Sequence, residues 1–170
     1  ISVDATCTSL RKDATDWPGI YEWGPTALLP IFALLGTEFK SETILFQDQK
    51  QVDIFAKMEF IFKNAVASAS VGDGVKSEGE LIISGTKGYA YVPAPWWKTD
   101  YFELRYEDPS ENRRYFYQLD GEGIRYELVA FARAVEKGKA LPNISLQTTK
   151  AISETMGQFA KRENCTVIRG

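Results

Sequence analysis

The sequence predicts an α+β domain, a largely antiparallel mixed sheet with helices packed on one face and the other face open. Three observations lead to this fold class. Alternating apolar and polar residues, typical of strands, fill most of the first two thirds of the chain, and helical spacing dominates the last third. No predicted strand is followed by the glycine-rich turn of a dinucleotide-binding unit. A run of strands followed by a run of helices favours two layers over a doubly wound sheet.

Length and composition indicate one globular domain over residues 1–170. The chain has 170 residues, of which 44% are apolar and 25% are charged, within the ordinary range for globular proteins. Its net charge of -3, with acidic and basic residues interspersed, leaves no basic face for nucleic acid. The longest apolar run, residues 27–35, contains Pro30 and is too short to span a bilayer. We therefore expect neither a nucleic-acid partner nor a membrane partner.

The histidine and cysteine content restricts the catalytic, metal-binding and disulfide chemistry that this chain can support. The chain has no histidine, so the commonest general base and metal ligand is missing, which excludes Ser-His-Asp and Cys-His catalysis. We expect no metal site. Cys7 and Cys165 stand near opposite ends and are predicted to be free thiols. Residues 1–10 alternate like a strand and lack the pattern of a signal peptide, so we expect a cytoplasmic protein.

The N-terminal part of the chain predicts a strand, a loop and a buried helix. Val3, Ala5 and Cys7 alternate with polar residues and predict the first strand. Residues 11–24 mix polar and aromatic types without a period, which predicts a long loop. Pro25 is typical of a first helical turn, Pro30 predicts a kink, and Gly36 is predicted to end the helix in a left-handed conformation. The apolar residues that line this helix are Leu28, Leu29, Phe32 and Leu35.

The middle of the chain predicts strands and one tight hairpin. Between residues 39 and 71 the apolar period is two, which predicts strands with Asp53, Lys57 and Glu59 on the solvent side. Residues 81–84 and 89–92 flank Gly85-Thr86-Lys87-Gly88, which predicts a hairpin with glycines at positive φ. Residues 101–106 and 113–119 predict two more strands, joined by a turn at residues 108–110. The predicted core residues are Val52, Ile54, Ala56, Met58 and Phe60 on one strand and Ala65, Ala67, Ala69 and Val71 on the next.

Two amphipathic helices are predicted near the C-terminus. The first has apolar residues spaced four, three and four apart and ends at Gly138, and the second begins at a capping residue, Ser145. Both are expected to pack on the same face of the sheet. The predicted inward residues are Ile124, Leu128, Phe131 and Val135 on the first helix and Ile152, Met156 and Phe159 on the second.

Five features, in a fixed order, carry a resemblance to a known family. They are residues 21–26 (Tyr-Glu-Trp-Gly-Pro-Thr) before an apolar helix that closes at Leu35-Gly36, alternating strands, the hairpin 83–89 (Ile-Ser-Gly-Thr-Lys-Gly-Tyr), the loop Pro95-Trp96-Trp97, and a helix from Tyr126-Glu127-Leu128 to residues 138–142 (Gly-Lys-Ala-Leu-Pro) followed by another helix. Together they resemble the C-terminal domain of the glucose-fructose oxidoreductase and inositol dehydrogenase (Gfo/Idh/MocA) family. The similarity covers nearly the whole chain.

The resemblance implies a fold, a reaction and a missing domain. The fold is that of dihydrodipicolinate-reductase-like C-terminal domains, which bind substrate and form oligomers. The intact protein would also have an N-terminal Rossmann domain that binds NAD or NADP and a Glu-Lys-Pro segment with a catalytic lysine, and both are absent from this chain. The implied reaction oxidises or reduces a sugar, a sugar derivative or a cyclitol. This chain alone is therefore expected to be inactive and to bind no cofactor.

Glu22 and Thr26 are the catalytic candidates that the resemblance implies. The family's Asp-x-Gly-x-His motif, whose end residues assist proton transfer, falls on residues 22–26 (Glu-Trp-Gly-Pro-Thr). Glu22 keeps a carboxylate, but Thr26 cannot act as a base near neutral pH. Either the intact enzyme uses another base, such as Glu22 with its pKa raised by burial beside Trp23, or it binds a ligand or partner without turnover.

Glu22 and Thr26 can also be explained by helix geometry, without the family resemblance. At the mouth of a helix, free backbone N–H groups would be open to a ligand near Glu22 and Thr26. Alternatively, Thr26 satisfies the first helical turn and Glu22 favours the helix dipole. The sequence leaves both explanations open.

Two groups of aromatic and cationic residues are candidates for binding. Such residues hold a sugar by stacking on its C–H face and by hydrogen bonding, and in the family the loop before the apolar helix lines the substrate site. The alternative for this loop is that its tryptophans cover an edge of the core. A second group could form a substrate lip or a subunit contact, unless one tryptophan packs in the core and the other is exposed. The first group is Lys12, Trp17, Tyr21 and Trp23, and the second is Trp96, Trp97 and Lys98.

The open face of the sheet is the expected homodimer surface. The resemblance implies this role, and an uncovered, largely apolar face would otherwise favour aggregation. Cross-strand pairs of aromatic and charged residues are expected there. The predicted stripe is Tyr101, Glu103 and Arg105 opposite Arg113, Tyr115 and Tyr117.

Overall fold

The computed structural model describes residues 1–10, 19–49, 52–118, 120–139 and 144–168. Within these ranges, nine strands form one sheet and three α-helices accompany it, which confirms the α+β fold class. The strands are β1 (Ser2–Thr8), β2 (Phe39–Gln49), β3 (Val52–Phe62), β4 (Val66–Gly72), β5 (Leu81–Ser84), β6 (Gly88–Val92), β7 (Tyr101–Tyr106), β8 (Arg113–Phe116) and β9 (Cys165–Ile168). The helices are α1 (Gly19–Leu35), α2 (Ile124–Lys137) and α3 (Leu146–Lys161).

The sheet is mixed and largely antiparallel, in the order β8-β7-β6-β5-β1-β4-β3-β2-β9. β1 lies at its centre, parallel to β4 and antiparallel to β5. At one edge β9 runs parallel to β2, and every other neighbouring pair in this order is antiparallel. The sequence pattern does not predict the short edge strand β9.

One face of the sheet forms the core under α1. The alternation predicted for β1 and β4 is confirmed, because every second residue on these strands is buried on this face. Small side chains there let α1 lie close to the sheet, where its Leu28, Ile31 and Phe32 are buried. The buried sheet residues beneath α1 are Val3, Ala5 and Cys7 on β1 and Ala67, Ala69 and Val71 on β4.

α1 begins earlier than the sequence pattern predicts. Residues 19–24 are helical, so the long loop is wrong over these positions, and its residues 11–18 lie outside the described residues. Pro25 therefore lies inside the helix and not in its first turn. The early start has a long-range cause, because the carboxylate of Asp53 on β3 accepts a hydrogen bond from the N–H of Ile20. At the other end, Gly36 terminates the helix with a φ of 80°, as predicted.

Asp53 is buried, which corrects the prediction that it faces solvent. Its exposed fraction is 2%. The pairing of β2 with β3 shifts between Gln47 and Asp48, which leaves Ile54 as an extra residue on β3. Because such a bulge reverses the alternation of side chains, Asp53 lies on the core face together with Ala56.

The β5–β6 hairpin is confirmed, but its glycines serve a different purpose. Ser84 pairs with Tyr89, and the N–H of Gly85 donates to the carbonyl of Gly88. Neither glycine has a positive φ, which corrects the prediction. A Cβ on Gly88 would lie 2.5 Å from the carbonyl oxygen of Arg105, so glycine permits the close approach of β7.

The register of β7 and β8 differs from the predicted one by one residue. Glu103 pairs with Arg114, and Tyr101 pairs with Phe116. Arg113 and Tyr115 therefore lie on the opposite face, so the stripe predicted across Arg113, Tyr115 and Tyr117 is wrong. A shift of one residue exchanges the two faces of a strand, and here the length of the turn between the strands sets the register. β8 ends at Phe116, and residue 119 lies outside the described residues.

The open face of the sheet is polar at its centre and not largely apolar as expected. The carboxylate of Asp4 accepts hydrogen bonds from the hydroxyls of Ser2 and Ser68, at 2.8 and 2.6 Å. Towards β8 the same face carries tyrosine, arginine and glutamate side chains. Exposed apolar area is therefore not a reason for this face to be covered.

α3 packs inward as predicted, whereas α2 does not. α3 lies against α1, and the ring of Phe159 meets that of Phe46 on β2 at 5.2 Å. No residue of α2 is buried, and its principal contact is with the short 3₁₀ turn Asp120–Gly123 that precedes it. Helical spacing predicts an apolar face correctly but does not specify which surface covers that face.

Both cysteines of the chain lie in the described ranges. Cys7 and Cys165 are free thiols, as predicted. β1 and β9 are four strand spacings apart, about 19 Å, which is far beyond disulfide reach. In the described ranges, no helix has the length and apolar character needed to cross a membrane, and no three metal-ligating side chains cluster.

Candidate functional site

The candidate site is built on the first turns of α1, which β3 holds in place. The Oδ2 atom of Asp53 accepts a hydrogen bond of 2.9 Å from the N–H of Ile20, one of the helix-start donors without an intrahelical partner. Burial raises the pKa of Asp53, and the bond from Ile20 partly offsets this effect. A Cβ on Gly19 would lie 3.0 Å from the backbone nitrogen of Asp73, so a glycine brings the helix start close to β4.

Glu22 and Thr26 lie one turn apart on the side of α1 that faces away from the sheet. Residues four apart are neighbours on a helix, about 6 Å apart along its axis, so the carboxylate and the hydroxyl form one polar ridge. We call residues Glu22, Pro25 and Thr26 the α1 ridge. Glu22 and Pro25 are exposed and Thr26 is half-buried, so the expected burial of Glu22 beside Trp23 is not found.

The helix start at Gly19 also changes what the ridge can bind. Thr26 lies well inside α1, so its backbone N–H belongs to the helical hydrogen-bond ladder. Thr26 is therefore not a cap, and free backbone N–H groups are not available beside it. A ligand on the ridge must be held by side chains.

Tyr21 flanks the α1 ridge on the side of α3. Its ring meets the edge of Phe159 at 5.7 Å. The guanidinium of Arg162, just after α3, lies 4.5 Å from the ring centre of Phe159 and 4.3 Å from that of Phe46. Burial raises the pKa of Tyr21, and the positive charge of Arg162 counteracts this effect. This flank therefore combines an aromatic ring with a nearby cation.

Trp23 flanks the ridge on the other side, about 200° around the helix from Tyr21. Its ring packs on Trp97 at 5.3 Å, and Trp97 meets Trp96 at 6.0 Å. The indole N–H of Trp96 donates to the carbonyl of Thr6 at 3.1 Å. The indole N–H of Trp23 is buried and has no acceptor among the described residues.

Gly24 explains how α3 comes so close to the candidate site. A Cβ on Gly24 would lie 3.0 Å from Cε of Met156 on α3. The glycine of the segment 22–26 thus has a packing role, which places the Tyr21 flank beside α3.

The structure brings four of the six predicted catalytic and substrate-binding residues together within two turns of α1. These are Tyr21, Glu22, Trp23 and Thr26. Lys12 and Trp17 lie outside the described residues. Trp96 and Trp97 are both half-buried against the core. The expectation that one is buried and the other exposed is therefore wrong, and the two side chains do not form a free substrate lip. Lys98 follows them in a turn in which its N–H donates to the carbonyl of Pro95.

Sequence reasoning misses two residues of this neighbourhood, Asp53 and Arg162. The bulge on β3 hides Asp53, because simple alternation assigns it to solvent. Arg162 follows α3 with a φ of 59°. Its sequence signal is a basic residue near a helix end, which is common because of the helix dipole and therefore does not single out a site.

Comparisons with known proteins identify the fold but not a sequence family. No protein-family model matches the sequence, and no curated protein matches it significantly. A 3-ketoreductase from Actinomadura kijaniata, solved with TDP-benzene and NADP, matches 98% of this chain over 53% of its own, with 14% identity and a TM-score of 0.74. UDP-N-acetylglucosamine 3-dehydrogenase GnnA from Acidithiobacillus ferrooxidans matches 92% of this chain over 51% of its own, with 12% identity and a TM-score of 0.75.

The likeness to these two proteins is a likeness of fold. At such low identity the shared feature is the fold, and nearly all of this chain takes part in it. This chain spans about half the length of these proteins. It therefore has the fold of one half of a ketoreductase and of a sugar-nucleotide dehydrogenase.

Proposed function

We propose that this chain is the substrate-binding and dimerisation half of an NAD(P)-dependent oxidoreductase of the Gfo/Idh/MocA family. Its substrate class is the CH–OH group of a sugar, a sugar derivative or a cyclitol. The α1 ridge carries the proposal, because the segment that resembles the family's motif forms an exposed helical ridge with a carboxylate and a hydroxyl. The fold shared with the ketoreductase and the dehydrogenase supports it.

The cofactor belongs to the other half of the intact polypeptide. No strand of this sequence leads into the glycine-rich turn that binds a dinucleotide, so its own residues do not fit NAD or NADP. The solved 3-ketoreductase, which binds NADP, is almost twice as long as the matched region. We place this cofactor-binding half before Ile1, as the family resemblance implies.

The ridge residues handle the proton of the reaction. A nicotinamide held by the other half would supply the acceptor for the hydride of the substrate carbinol. The carboxylate of Glu22 accepts the hydroxyl proton of the same carbinol, so a C=O bond forms as the C–H and O–H bonds break. The hydroxyl of Thr26, one turn away, donates a hydrogen bond to the substrate oxygen and orients it. Because Glu22 is exposed, it then releases the proton to solvent.

The flanks of the ridge hold the sugar ring. Tyr21 and Trp23 offer aromatic side chains on the two sides of the ridge, against which the C–H face of a sugar can stack. From the sequence alone, we also propose substrate-binding roles for Lys12 and Trp17. The Trp96–Trp97 pair supports Trp23 from behind.

One observation favours a second candidate, an inactive ligand-binding or assembly module of the same fold. Thr26 stands where the family has a histidine, and a threonine keeps hydrogen bonding without supplying a base. The ridge and its aromatic flanks would then hold a sugar-like ligand without turnover.

Turnover by the intact polypeptide distinguishes the two candidates. We expect NADPH or NADH oxidation with at least one substrate from a panel of keto forms of nucleotide sugars, free sugars and cyclitols. Glu22→Gln should lower kcat about 100-fold, because it removes the group that gives the substrate oxygen its proton in this reductive direction. The matched control Glu38→Gln, exposed beyond the end of α1, should stay within about twofold of wild type. No turnover by either wild type or Thr26→His would contradict the enzyme and favour the binding module.

We also propose a cytoplasmic homodimer that forms through the open sheet face. The carboxylate of Glu103 accepts hydrogen bonds from Nε of Arg105 at 2.6 Å and from Nε of Arg114 at 2.7 Å, and these bonds lower its pKa. Arg105 lies 4.5 Å from the ring centre of Tyr91, and Arg114 lies 4.7 Å from that of Tyr101. Tyrosine and arginine are enriched at interface anchors, and this network holds them in fixed positions. The two free thiols fit a reducing compartment.

A further inference from the structure

α2 carries an apolar stripe that the described part of the chain leaves uncovered. Four large side chains, spaced four, three and four apart, share one face of the helix, and each is 60–66% exposed. An apolar surface of this kind on a folded protein usually marks a contact with another surface. The four residues, which we call the α2 stripe, are Ile124, Leu128, Phe131 and Val135.

A second apolar surface is also left open on the helix-bearing side of the sheet. α1 lies over β1, β4 and β3, and no helix makes a substantial contact with β7 or β8. On those strands Phe102 and Tyr115 stack at 5.0 Å and remain 37% and 41% exposed. The Phe102–Tyr115 surface and the α2 stripe therefore both belong to one stretch of chain, from β7 to α2.

The size of the α2 stripe argues against a second copy of this chain as its occupant. A helix of 14 residues is about 21 Å long, so one face buries on the order of 300 Å². A stable interface between separate proteins buries about 800 Å² on each side. A contact within one polypeptide needs less area, because the linkage already supplies a high effective concentration.

We propose that the α2 stripe docks onto the cofactor-binding half of the intact polypeptide, an inference that rests on the proposed function. This chain matches only 53% of the 3-ketoreductase chain, so a body of about equal size lies beside the shared fold in that protein. A body of that size has enough surface to cover the α2 stripe, and this docking does not use the polar open face of the sheet that we propose for the homodimer. α2 is then a positioning element that holds the cofactor half relative to the α1 ridge.

Hydrogen exchange on two forms of the protein tests this docking. α2 amides should exchange rapidly in the 170-residue chain and at least tenfold more slowly in the intact polypeptide. In the intact polypeptide, Phe131→Asp should abolish most of that protection. Val129→Asp is the matched control, because Val129 is 48% exposed and lies about 100° or more around the helix from every residue of the stripe. It should retain the protection within about twofold.

Several results separate docking from its alternatives. Equal exchange of α2 in both forms would overturn the proposal. Conversion of the 170-residue chain from a dimer to a monomer by Phe131→Asp would also overturn it, because a second copy would then be the occupant of the stripe. NADPH binding measured on the same intact sample separates the two proposals. Binding without α2 protection refutes docking alone, and protection without NADPH or NADH binding refutes the proposed function alone.

Discussion

At the scale of single residues, two carboxylates are buried beneath the helices. Asp53 anchors the start of α1, and Glu42 lies on the core face of β2 beside Thr155 of α3. Neither carboxylate oxygen of Glu42 has a hydrogen-bond partner among the described residues, and the hydroxyl of Thr155 is likewise unpartnered. Burial raises the pKa of Glu42, and Thr155 offsets this only in part. Charged residues are rarely buried, so composition and alternation alone place both on the surface.

Glu42 should make the folded chain less stable as the pH rises. Its folded pKa is raised, so the folded state binds the proton more tightly than the unfolded chain does, and this stabilisation is complete below the unfolded pKa. It is lost as the pH rises through the folded pKa. Glu42→Gln should remove this loss, with a higher free energy of unfolding than wild type at pH 8, by about 1 kcal/mol, and convergence at acidic pH.

Urea unfolding between pH 4.5 and 8 measures this effect. Glu38→Gln, at an exposed glutamate, serves as the control and should follow the wild-type profile. A wild-type stability that rises across this range faster than that of Glu42→Gln would contradict the buried, unpartnered state of Glu42.

At the scale of elements, local patterns predict the strands and the hairpin, whereas long-range contacts set the boundaries. β1, β4 and the β5–β6 hairpin follow from alternation and from the glycine spacing. The start of α1 does not, because its cap comes from Asp53, more than thirty positions away. The same limit applies to α2, whose apolar face the spacing reveals but whose neighbour it does not.

A pair of phenylalanines distinguishes the two C-terminal helices. Phe159 on α3 is 2% exposed and contacts Tyr21 and Phe46, so Phe159→Ala should lower the free energy of unfolding by about 3–5 kcal/mol. Phe131 on α2 is exposed, so Phe131→Ala should change it by less than about 0.5 kcal/mol in the 170-residue chain. Chemical denaturation of both variants provides the comparison. Similar losses would mean that this chain itself covers the α2 stripe.

At the scale of the whole molecule, the two faces of the sheet differ, because α1 covers one face and the other is open and polar at its centre. The sequence predicts the α+β class and the open face, but not the order of strands or the edge strand β9, because strand order depends on pairings distant in sequence. It also assigns the wrong residues to the open face, because a register shift of one residue places Arg114 there instead of Arg113. Of the candidate site, the sequence indicates the α1 ridge and its flanks, and the fold places them within two turns of one helix.

Neighbouring arginines on opposite faces of β8 test the homodimer. The 170-residue chain should sediment as a dimer at micromolar concentration. Arg114→Glu should weaken the dimer at least tenfold, about 1.4 kcal/mol, because it removes a partner of Glu103 and places two acidic groups together on the open face. Arg113→Glu, on the other face, should leave the dimer unchanged. A monomeric wild type at this concentration would rule out the open face as a dimer surface.

We propose that this chain is the substrate half of an enzyme whose cofactor is bound by another half. Titration calorimetry with NADPH and NADH, on the 170-residue chain and on the intact polypeptide, tests this proposal. We expect micromolar binding of at least one cofactor by the intact polypeptide and no binding by the chain alone. An intact polypeptide that binds neither cofactor, or a 170-residue chain that binds one unaided, would contradict it.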